Sequence, residues 1–201
     1  MKPILIVYAT REGHTRRIAE HVAELLLARG VEVELLDARS SEAVGMNGSD
    51  FSGAILAASL HLGRHEPEMV RFIQRERHAL TELPSAFLSV SMSAAGAQNE
   101  ANSPEYREKV KRELEKISEA LFAKTHWHPA RKAFVAGALM YTKYNVLVRW
   151  VMKRIAQHEG GSTDTTQNHV YTDWNTLDHF IEAFMGTLED KAPHRVASGA
   201  A

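Results

Sequence analysis

Residues 8–15, Tyr8-Ala9-Thr10-Arg11-Glu12-Gly13-His14-Thr15, connect an apolar run to an amphipathic helical pattern through a turn rich in hydroxyl groups. Amide groups in the first turn of a helix have no intrahelical partner and lie at the positive end of the helix dipole, so a phosphate can bind there. Gly13 lets the main chain approach such a ligand closely because it has no Cβ atom. We expect a phosphate site built from Thr10, Arg11, Glu12, Gly13, His14 and Thr15.

The glycine spacing in this turn restricts the kind of phosphate. The chain has neither the G-x-x-x-x-G-K-[ST] loop of nucleoside triphosphate sites nor the G-x-G-x-x-G turn of dinucleotide sites. A single terminal phosphate is therefore the favoured ligand. A hydroxyl-rich turn that only caps a helix is the alternative. The pattern Thr10-x-x-Gly13-x-Thr15 resembles the phosphate loop of flavodoxins, and this resemblance implies FMN as the cofactor.

The composition favours one globular α/β domain. The chain has 201 residues, of which 44% are hydrophobic and 24% are charged. We expect residues 1–190 to form the domain and residues 191–201 to be a disordered tail. The chain contains no cysteine, so disulfides, iron–sulfur clusters and thiolate catalysis are excluded, and the composition fits a reducing cytoplasm.

The formal net charge of −1 gives no electrostatic support for nucleic-acid binding or for a strongly acidic electron-shuttle surface. The N-terminal residues lack a basic segment followed by a long apolar run. No stretch reaches the roughly 18 apolar residues that a membrane-spanning helix needs. We therefore expect a protein that is neither exported by an N-terminal signal nor embedded in a membrane.

Apolar runs alternate with helical patterns along the chain, which is typical of a parallel sheet covered on both faces. The predicted strands are Pro3–Ala9, Val31–Asp37, Gly53–Ser59, Pro84–Met92 and Ala133–Tyr141. The predicted helices are His14–Ala28, Glu66–Leu80, one that Ser103 caps and that continues to about Ala123, and a last helix from Trp174. Residues Arg39–Asp50 read as a loop or a short turn. The flavodoxin resemblance implies a three-layer sandwich with strand order 2-1-3-4-5 and an insertion in or after the fifth strand.

Ligands bind such sheets beyond the carboxyl ends of the strands, where the strand order reverses. The phosphate turn should therefore meet the loops Ser59–His65 and Ser91–Gly96. In the flavodoxin resemblance these loops flank the flavin ring. The further cofactor candidates are Ser59, Leu60, His61, Leu62, Gly63, Ser91, Met92, Ser93 and Ala94. Unlike many flavodoxins, this chain offers no tryptophan or tyrosine in these loops. Either part of the flavin surface stays free for a second planar molecule, or the flavin binds weakly.

Residues Asn145–Gln157 lie within the insertion, which we place at about residues 142–168, and they contain no acidic residue. On a helical wheel the apolar residues Leu147, Val148, Val151, Met152 and Ile155 share one broad face. Arg149 and Lys153 lie on the other face, with Trp150 at the boundary. Such a helix is suited to an anionic membrane surface, and an ordinary core-packing helix with a solvated basic side is the alternative.

Several blocks of residues indicate a closer family. They are Val135–Tyr141, Gly160-Gly161-Ser162-Thr163-Asp164-Thr165, Val170-Tyr171-Thr172-Asp173-Trp174, Ala58-Ser59 and Pro84–Phe87. In their order and spacing, over about residues 1–189, they resemble the bacterial flavodoxin-type protoporphyrinogen dehydrogenases. This resemblance implies an FMN protein on the cytoplasmic face of the inner membrane. Such a protein oxidises protoporphyrinogen IX to protoporphyrin IX in haem biosynthesis and passes the electrons to membrane quinone.

A flavin accepts a hydride itself, so the chemistry needs no nucleophile or metal from the protein. Cationic residues could pair with the substrate's propionates, and Trp150 adds apolar surface. The candidate cations are Arg64, Lys143, Arg149, Lys153 and Arg154. His61 and His65 lie in a predicted site loop, and His61 is a candidate proton carrier. A hydrogen bond to the flavin edge or simple exposure to solvent is the alternative role for both histidines. His126-Trp127-His128 lacks the further ligands of a zinc site, so we predict no metal.

Two other functional classes stay open. The chain could be a soluble electron-transfer flavodoxin or another FMN-dependent quinone reductase, or it could be a flavin-free flavodoxin-like partner module. The near-neutral charge and the cationic insertion disfavour an acidic shuttle, and the intact phosphate turn disfavours the flavin-free module. The residues leave the oligomeric state and the physiological electron acceptor open.

Overall fold

The computed structural model describes residues 2–143, 145–159 and 161–189, without the side chains of residues 146–148, 151, 155, 158, 159 and 189. Three strands at its centre are buried along almost their whole length, as expected of parallel strands that are covered on both faces. Every residue of the first, Ile4–Ala9, is buried, and so is every residue of Ser85–Ser91.

The elements follow one another in alternating order. The strands are β1 Ile4–Ala9, β2 Val33–Asp37, β3 Gly53–His61, β4 Arg64–His65, β5 Ser85–Ser91, β6 Arg131–Ala136, β7 Ala138–Leu139 and β8 His169–Val170. The helices are α1 His14–Leu27, α2 Pro67–Arg75, α3 Arg77–Glu82, α4 Met92–Gln98, α5 Pro104–Thr125, α6 Val146–Glu159 and α7 Trp174–Glu189. Short 3-10 turns lie at Ser41–Ala43, Gly48–Asp50 and Tyr141–Lys143.

The main sheet has the order β2-β1-β3-β5-β6, with all of these neighbours parallel. This is the predicted five-strand order, since β4 only adds a short antiparallel hairpin to the end of β3. Two strands that were not predicted, β7 and β8, form a separate antiparallel pair.

Helices cover both faces of the sheet and form two main cores, which confirms the predicted three-layer α/β sandwich. One core joins α1 and α7 to the side chains of Ile4, Ile6 and Ile55. The other joins α2 and α5 to Leu5, Val7 and their neighbours, with Phe87, Phe122 and Trp127 in edge-to-face contact. A smaller third cluster contains Leu139, Met140, Tyr141 and Ala156.

The predicted fifth strand, Ala133–Tyr141, is wrong at its carboxyl end, because β6 stops at Ala136. The amide of Gly137 donates to the Ser91 carbonyl, and the Gly137 carbonyl accepts from Tyr171. A Cβ atom on Gly137 would lie 3.3 Å from the Ser91 carbonyl carbon, so only glycine fits this crossing closely. The chain therefore leaves the main sheet here and continues as β7.

The predicted helix Glu66–Leu80 is two helices, α2 and α3, which separate at Glu76. The buried Glu76 carboxylate accepts hydrogen bonds from the amides of Gly45 and Met46 and from the Arg75 side chain. This carboxylate thus holds the Arg39–Asp50 segment, which is a loop with short turns as predicted.

The predicted loop Ser91–Gly96 is also wrong, because α4 begins at Met92 directly after β5. The Ser91 hydroxyl caps this helix by accepting from the Ala94 amide at 3.0 Å. The helix expected over Asn145–Gln157 is confirmed as α6, and the last helix begins at Trp174 as predicted. The predicted tail, residues 191–201, lies outside the described residues. No described helix is long and apolar enough to cross a membrane.

Candidate functional site

The turn between β1 and α1 leaves the first amides of α1 available to a ligand, because no side chain caps this helix. Gly13 has φ +93°, a left-handed conformation that favours glycine, and its amide donates to Thr10 Oγ1 at 3.0 Å. The Thr10 hydroxyl hydrogen stays free to point to an acceptor. This geometry suits a phosphate.

Lys143, predicted as a substrate or membrane residue, lies at this turn. Its ammonium group donates to the Glu12 carbonyl at 2.8 Å. A Cβ atom on Gly13 would lie 3.3 Å from Lys143 Nζ, so the lysine head group covers the glycine. The segment after β7 therefore supplies a positive charge to a turn that has no lysine of its own.

His14 connects the same turn to the segment that precedes α7. Its Nε2 lies 2.7 Å from Thr172 Oγ1, and the Thr172 hydroxyl donates to the Ala136 carbonyl. Because the hydroxyl hydrogen is used in this way, His14 Nε2 must be the donor. Burial, with a smaller effect from the Arg17 charge, lowers the pKa of His14 to about 4, so the imidazole is neutral at pH 7. His14 Nδ1 is buried without a hydrogen-bond partner among the described residues.

An imidazole and two carboxylates meet where β1 and β3 end. His61 Nε2 lies 3.2 Å from Glu12 Oε2 and 3.5 Å from Glu66 Oε1. The Glu66 side chain is only 8% exposed, and it accepts from Ser59 Oγ at 3.3 Å and lies 3.4 Å from Arg11 Nη2. These contacts bring the first two predicted loops together.

The second loop is a tight hairpin between β3 and β4. Leu62 and Gly63 have φ +49° and +73°, as the two central residues of a type I′ turn do, although leucine adopts this conformation at a cost. The Leu62 side chain is 90% exposed at the tip, and Arg64 next to it is exposed. Leu60, in contrast, packs into the cluster under α4 and α5.

His65 does not belong to the exposed part of this loop. It is 6% exposed, its Nε2 lies 2.9 Å from Ser89 Oγ, and its ring packs edge-on against Phe87. Burial lowers the pKa of His65 to about 4. The expectation of a site or solvent-exposed histidine here is therefore wrong.

The third loop offers mainly backbone groups. Ser91 and Ala94 are buried, whereas Met92 and Ser93 are half-buried at the start of α4. Met92 also packs against the third cluster, and so it connects this loop to the residues after β6. Parallel pairing of β1, β3 and β5 places all three predicted loops at the same edge of the sheet.

Helix α6 carries an exposed cationic and aromatic surface. Trp150 is 59% exposed, and the Arg154 guanidinium lies 5.5 Å from its ring centroid. Lys153 and Arg154 are exposed, but Arg149 is half-buried with its Nε shielded from solvent. Ala156 and Met152 anchor the helix to the third cluster. Most of the predicted apolar face falls on side chains outside the described set.

The return segment after α6 is a rigid turn. Asp164 accepts from the amide and hydroxyl of Thr166, and the Ser162 backbone is held between Tyr171 and Tyr141 through both of their hydroxyl groups. A Cβ atom on Gly161 would lie 3.1 Å from the Tyr171 hydroxyl oxygen. A hydrogen bond between Ser162 and Tyr171 thus joins the described residues of the two blocks, 161–165 and 171–174.

Sequence reasoning missed Glu66 and Thr172 as partners in the site. Glu66 looked like the first residue of an ordinary helix, and Thr172 contacts a residue 158 positions away. Trp127, within the His126–His128 run, is buried in the core. Among the described residues, no group of three or more histidine, aspartate or glutamate side chains could hold a metal ion.

Comparisons with known proteins identify the family of this chain. The family model described as "Flavodoxin domain" matches residues 5–166. The chain is 30% identical over 187 residues to a protein of Escherichia coli K12 named protoporphyrinogen IX dehydrogenase [quinone], and the match covers 93% of this chain and 96% of that protein. A Leishmania major protein of the same name is 28% identical over 182 residues, which are 90% of this chain and 73% of that one. Among solved structures, oxidised Flavodoxin 1 from Bacillus cereus is 18% identical, covers 92% of this chain and 97% of its own, and has a TM-score of 0.49.

Proposed function

The chain belongs to the flavodoxin-domain family and, within it, to the quinone-dependent protoporphyrinogen IX dehydrogenases, and from this we propose that it is an FMN-dependent oxidoreductase that converts protoporphyrinogen IX to protoporphyrin IX. The electrons then pass to a quinone. The observation that carries the proposal is the match to the E. coli dehydrogenase over nearly the whole of both chains, together with the phosphate turn at the expected edge of the sheet.

The residues at this edge fit FMN. The first turn of α1 has no capping side chain, Gly13 leaves room for close approach, and Lys143 Nζ lies beside that glycine. We assign the phosphate to this turn, with Thr10 and Lys143 as its side-chain partners. The hairpin tip and the start of α4 would flank the ring, with Leu62 and Met92 as apolar contacts.

Bound FMN supplies the hydride acceptor, so the chain has to orient the substrate and remove protons. We assign His61 as the proton acceptor. Its Nε2 lies 3.2 Å from Glu12 Oε2 and 3.5 Å from Glu66 Oε1, which leaves Nδ1 as the atom that would accept the proton. Removing the imidazole should slow turnover without affecting flavin binding.

The exposed surface of α6, formed by Trp150, Lys153 and Arg154, is the proposed contact with the membrane. Cations attract anionic lipid headgroups, and tryptophan favours the interface between water and lipid. The quinone and the porphyrinogen substrate both favour contact with a membrane, because quinone resides in lipid and the porphyrinogen macrocycle is apolar. The site of action is proposed to be the cytoplasmic face of the inner membrane.

The proposal is tested with purified protein loaded with FMN under anaerobic conditions. Conversion to protoporphyrin removes six electrons and each FMN accepts two, so the substrate is added at no more than about one third of the FMN concentration. Protoporphyrinogen IX should then bleach the flavin absorbance while porphyrin fluorescence appears, and an added quinone should restore the flavin spectrum. A His61→Gln variant should keep its FMN and lose most of its turnover, whereas His78→Gln, at an exposed site on α3, should match the wild type. Flavin that is reduced by other donors but not by protoporphyrinogen would instead support a soluble FMN-dependent quinone reductase.

A further inference from the structure

An open cavity of about 630 Å³ lies where α4, the start of α5 and the segment before α7 meet. Its volume falls within the roughly 300–1,000 Å³ that is usual for sites of small organic ligands. Its wall includes Met92, Tyr171, Arg107, Lys111 and Asp173. None of the cations assigned to the substrate from the sequence lines it.

Two cations of this wall lie one helical turn apart on α5. Residues four apart on a helix share a face, so Arg107 and Lys111 present their positive groups together. Arg107 Nε donates to the Ala97 carbonyl at 3.2 Å, which fixes the guanidinium at the cavity. Within the described part of the chain, neither cation has a carboxylate within ion-pairing distance.

Asp173 is the acidic residue that the described part of the chain contributes to this wall, and it forms no ion pair with either cation. Both oxygens of the Asp173 carboxylate accept hydrogen bonds from Thr176, one from its amide and one from its hydroxyl. Asp173 therefore serves the first turn of α7. Arg107 and Lys111 thus line the cavity without an ion-pair partner among the described residues.

The apolar part of the wall adjoins the proposed cofactor edge. Met92 lies in the third loop, directly after β5, and also lines the cavity. The Tyr171 ring is held in place because its hydroxyl accepts from the Ser162 amide at 2.6 Å. A flat apolar ligand could thus lie between Met92 and Tyr171 while its anionic end reaches α5.

We propose that this cavity binds the substrate tetrapyrrole, with Arg107 and Lys111 pairing with its propionate carboxylates. The inference rests on the proposed function and deepens it by naming the substrate site. It also replaces the sequence-based assignment of the propionates to Arg64, Lys143 and the cations of α6. Arginine suits such a site because its planar head group can bind a carboxylate through two hydrogen bonds.

The test measures binding of protoporphyrin IX, the stable product, to the FMN-loaded protein by fluorescence titration. Its dimethyl ester, which lacks both carboxylate charges, is the matched ligand. The variant is Arg107→Gln/Lys111→Gln, and the control is Lys109→Gln/Lys116→Gln, which removes the same charge from exposed positions of the same helix. A Lys111→Gln single variant keeps the Arg107 contact with Ala97 and guards against a folding defect.

The cavity variant should bind protoporphyrin at least about tenfold more weakly than the wild type, as expected for the loss of a hydrogen bond to a charged group. It should bind the ester equally well, and its KM for protoporphyrinogen should rise. Lys111→Gln should show a smaller loss of the same kind, and the control none. Unchanged protoporphyrin binding in the cavity variant would overturn the site and leave the proposed function intact. Equal losses for acid and ester would overturn the carboxylate assignment, and a wild type that binds and oxidises no tetrapyrrole would overturn both proposals.

Discussion

Burial of His14 and His65 makes the stability of this protein depend on pH in a defined direction. The pKa of each is lowered to about 4 in the folded state, mainly by burial, whereas an unfolded histidine titrates near 6.5. As the pH falls below about 6.5, the unfolded chain takes up protons that the folded chain does not. The free energy of unfolding therefore falls between about pH 6.5 and pH 4, and this contribution levels off below pH 4.

His65 allows this effect to be isolated. Between pH 7.5 and pH 5 its share of the loss should be on the order of 2 kcal/mol. Urea unfolding of a His65→Gln variant should show a pH dependence that is smaller by this amount, whatever its stability at pH 7.5. His78→Gln, at a position that is 91% exposed, should keep the wild-type dependence. An unchanged slope in His65→Gln would contradict the assignment of a neutral buried imidazole.

Lys143 is expected to act on the phosphate of FMN and not on its ring. A Lys143→Met variant should bind FMN several-fold more weakly, because the contact between the Lys143 ammonium group and the FMN phosphate is lost. Riboflavin, which has no phosphate, should bind equally well to the variant and to the wild type. Fluorescence titration of both flavins against the apoprotein measures the difference, with the exposed Lys124→Met as the control. Equal weakening of both flavins would mean that Lys143 supports the loop and not the phosphate.

The parts of the candidate site that could be predicted are those whose residues are close together in the sequence. The phosphate turn could be predicted because its hydroxyl groups, its glycine and its helix are consecutive residues. The His61 cluster could not, since Glu12 and Glu66 approach only when β1 and β3 pair in parallel. The place of Lys143 beside this turn could not be predicted for the same reason, because its contact with Glu12 spans 131 residues.

The wrongly predicted helix and strand boundaries lie where a side-chain hydrogen bond or a close backbone contact overrides the periodicity of the sequence. The pattern of residues 66–80 is helical throughout, yet the chain breaks at Glu76 because its buried carboxylate binds the amides of the preceding loop. The fifth strand reads as apolar to Tyr141, yet Gly137 turns it out of the sheet by contact with Ser91. Neither contact leaves a periodic signal.

Helix α6 should be separable from the flavin-binding core. Ala156 is fully buried in the third cluster, apart from the two main cores, so a charge placed there should detach α6 locally. We expect Ala156→Asp to keep its FMN spectrum and most of its melting temperature while turnover with a lipid-borne quinone collapses. Gln157→Asp, at the exposed neighbouring position, should behave as the wild type. Full activity in Ala156→Asp would show that α6 is not needed for quinone reduction.

At the scale of the molecule, the layer order was predictable because it needs only the alternation of apolar runs and helical patterns. Parallel strands buried on both faces are typically apolar; β1 is apolar throughout, and β5 is buried throughout although three of its seven residues are serines. The surface was less predictable. Arg149 was expected on the exposed basic face with Lys153, but it is half-buried, so the exposed cations on α6 are Lys153 and Arg154.

A net charge of −1 means that the molecule as a whole is neither drawn to an anionic bilayer nor strongly repelled by it, so attachment depends on the local surface of α6. Each cation near an anionic surface contributes on the order of 1 kcal/mol. Sedimentation with anionic liposomes should therefore be strongest at low salt. It should weaken as the Debye length shortens to about 8 Å at physiological ionic strength.

A Lys153→Glu/Arg154→Glu variant should bind far more weakly, whereas Lys109→Glu/Lys116→Glu, with the same change in net charge on α5, should lose much less. If the two variants lose equal amounts, attraction by net charge explains the binding. If the wild type stays in the supernatant even at low salt, this surface of α6 is not a membrane contact.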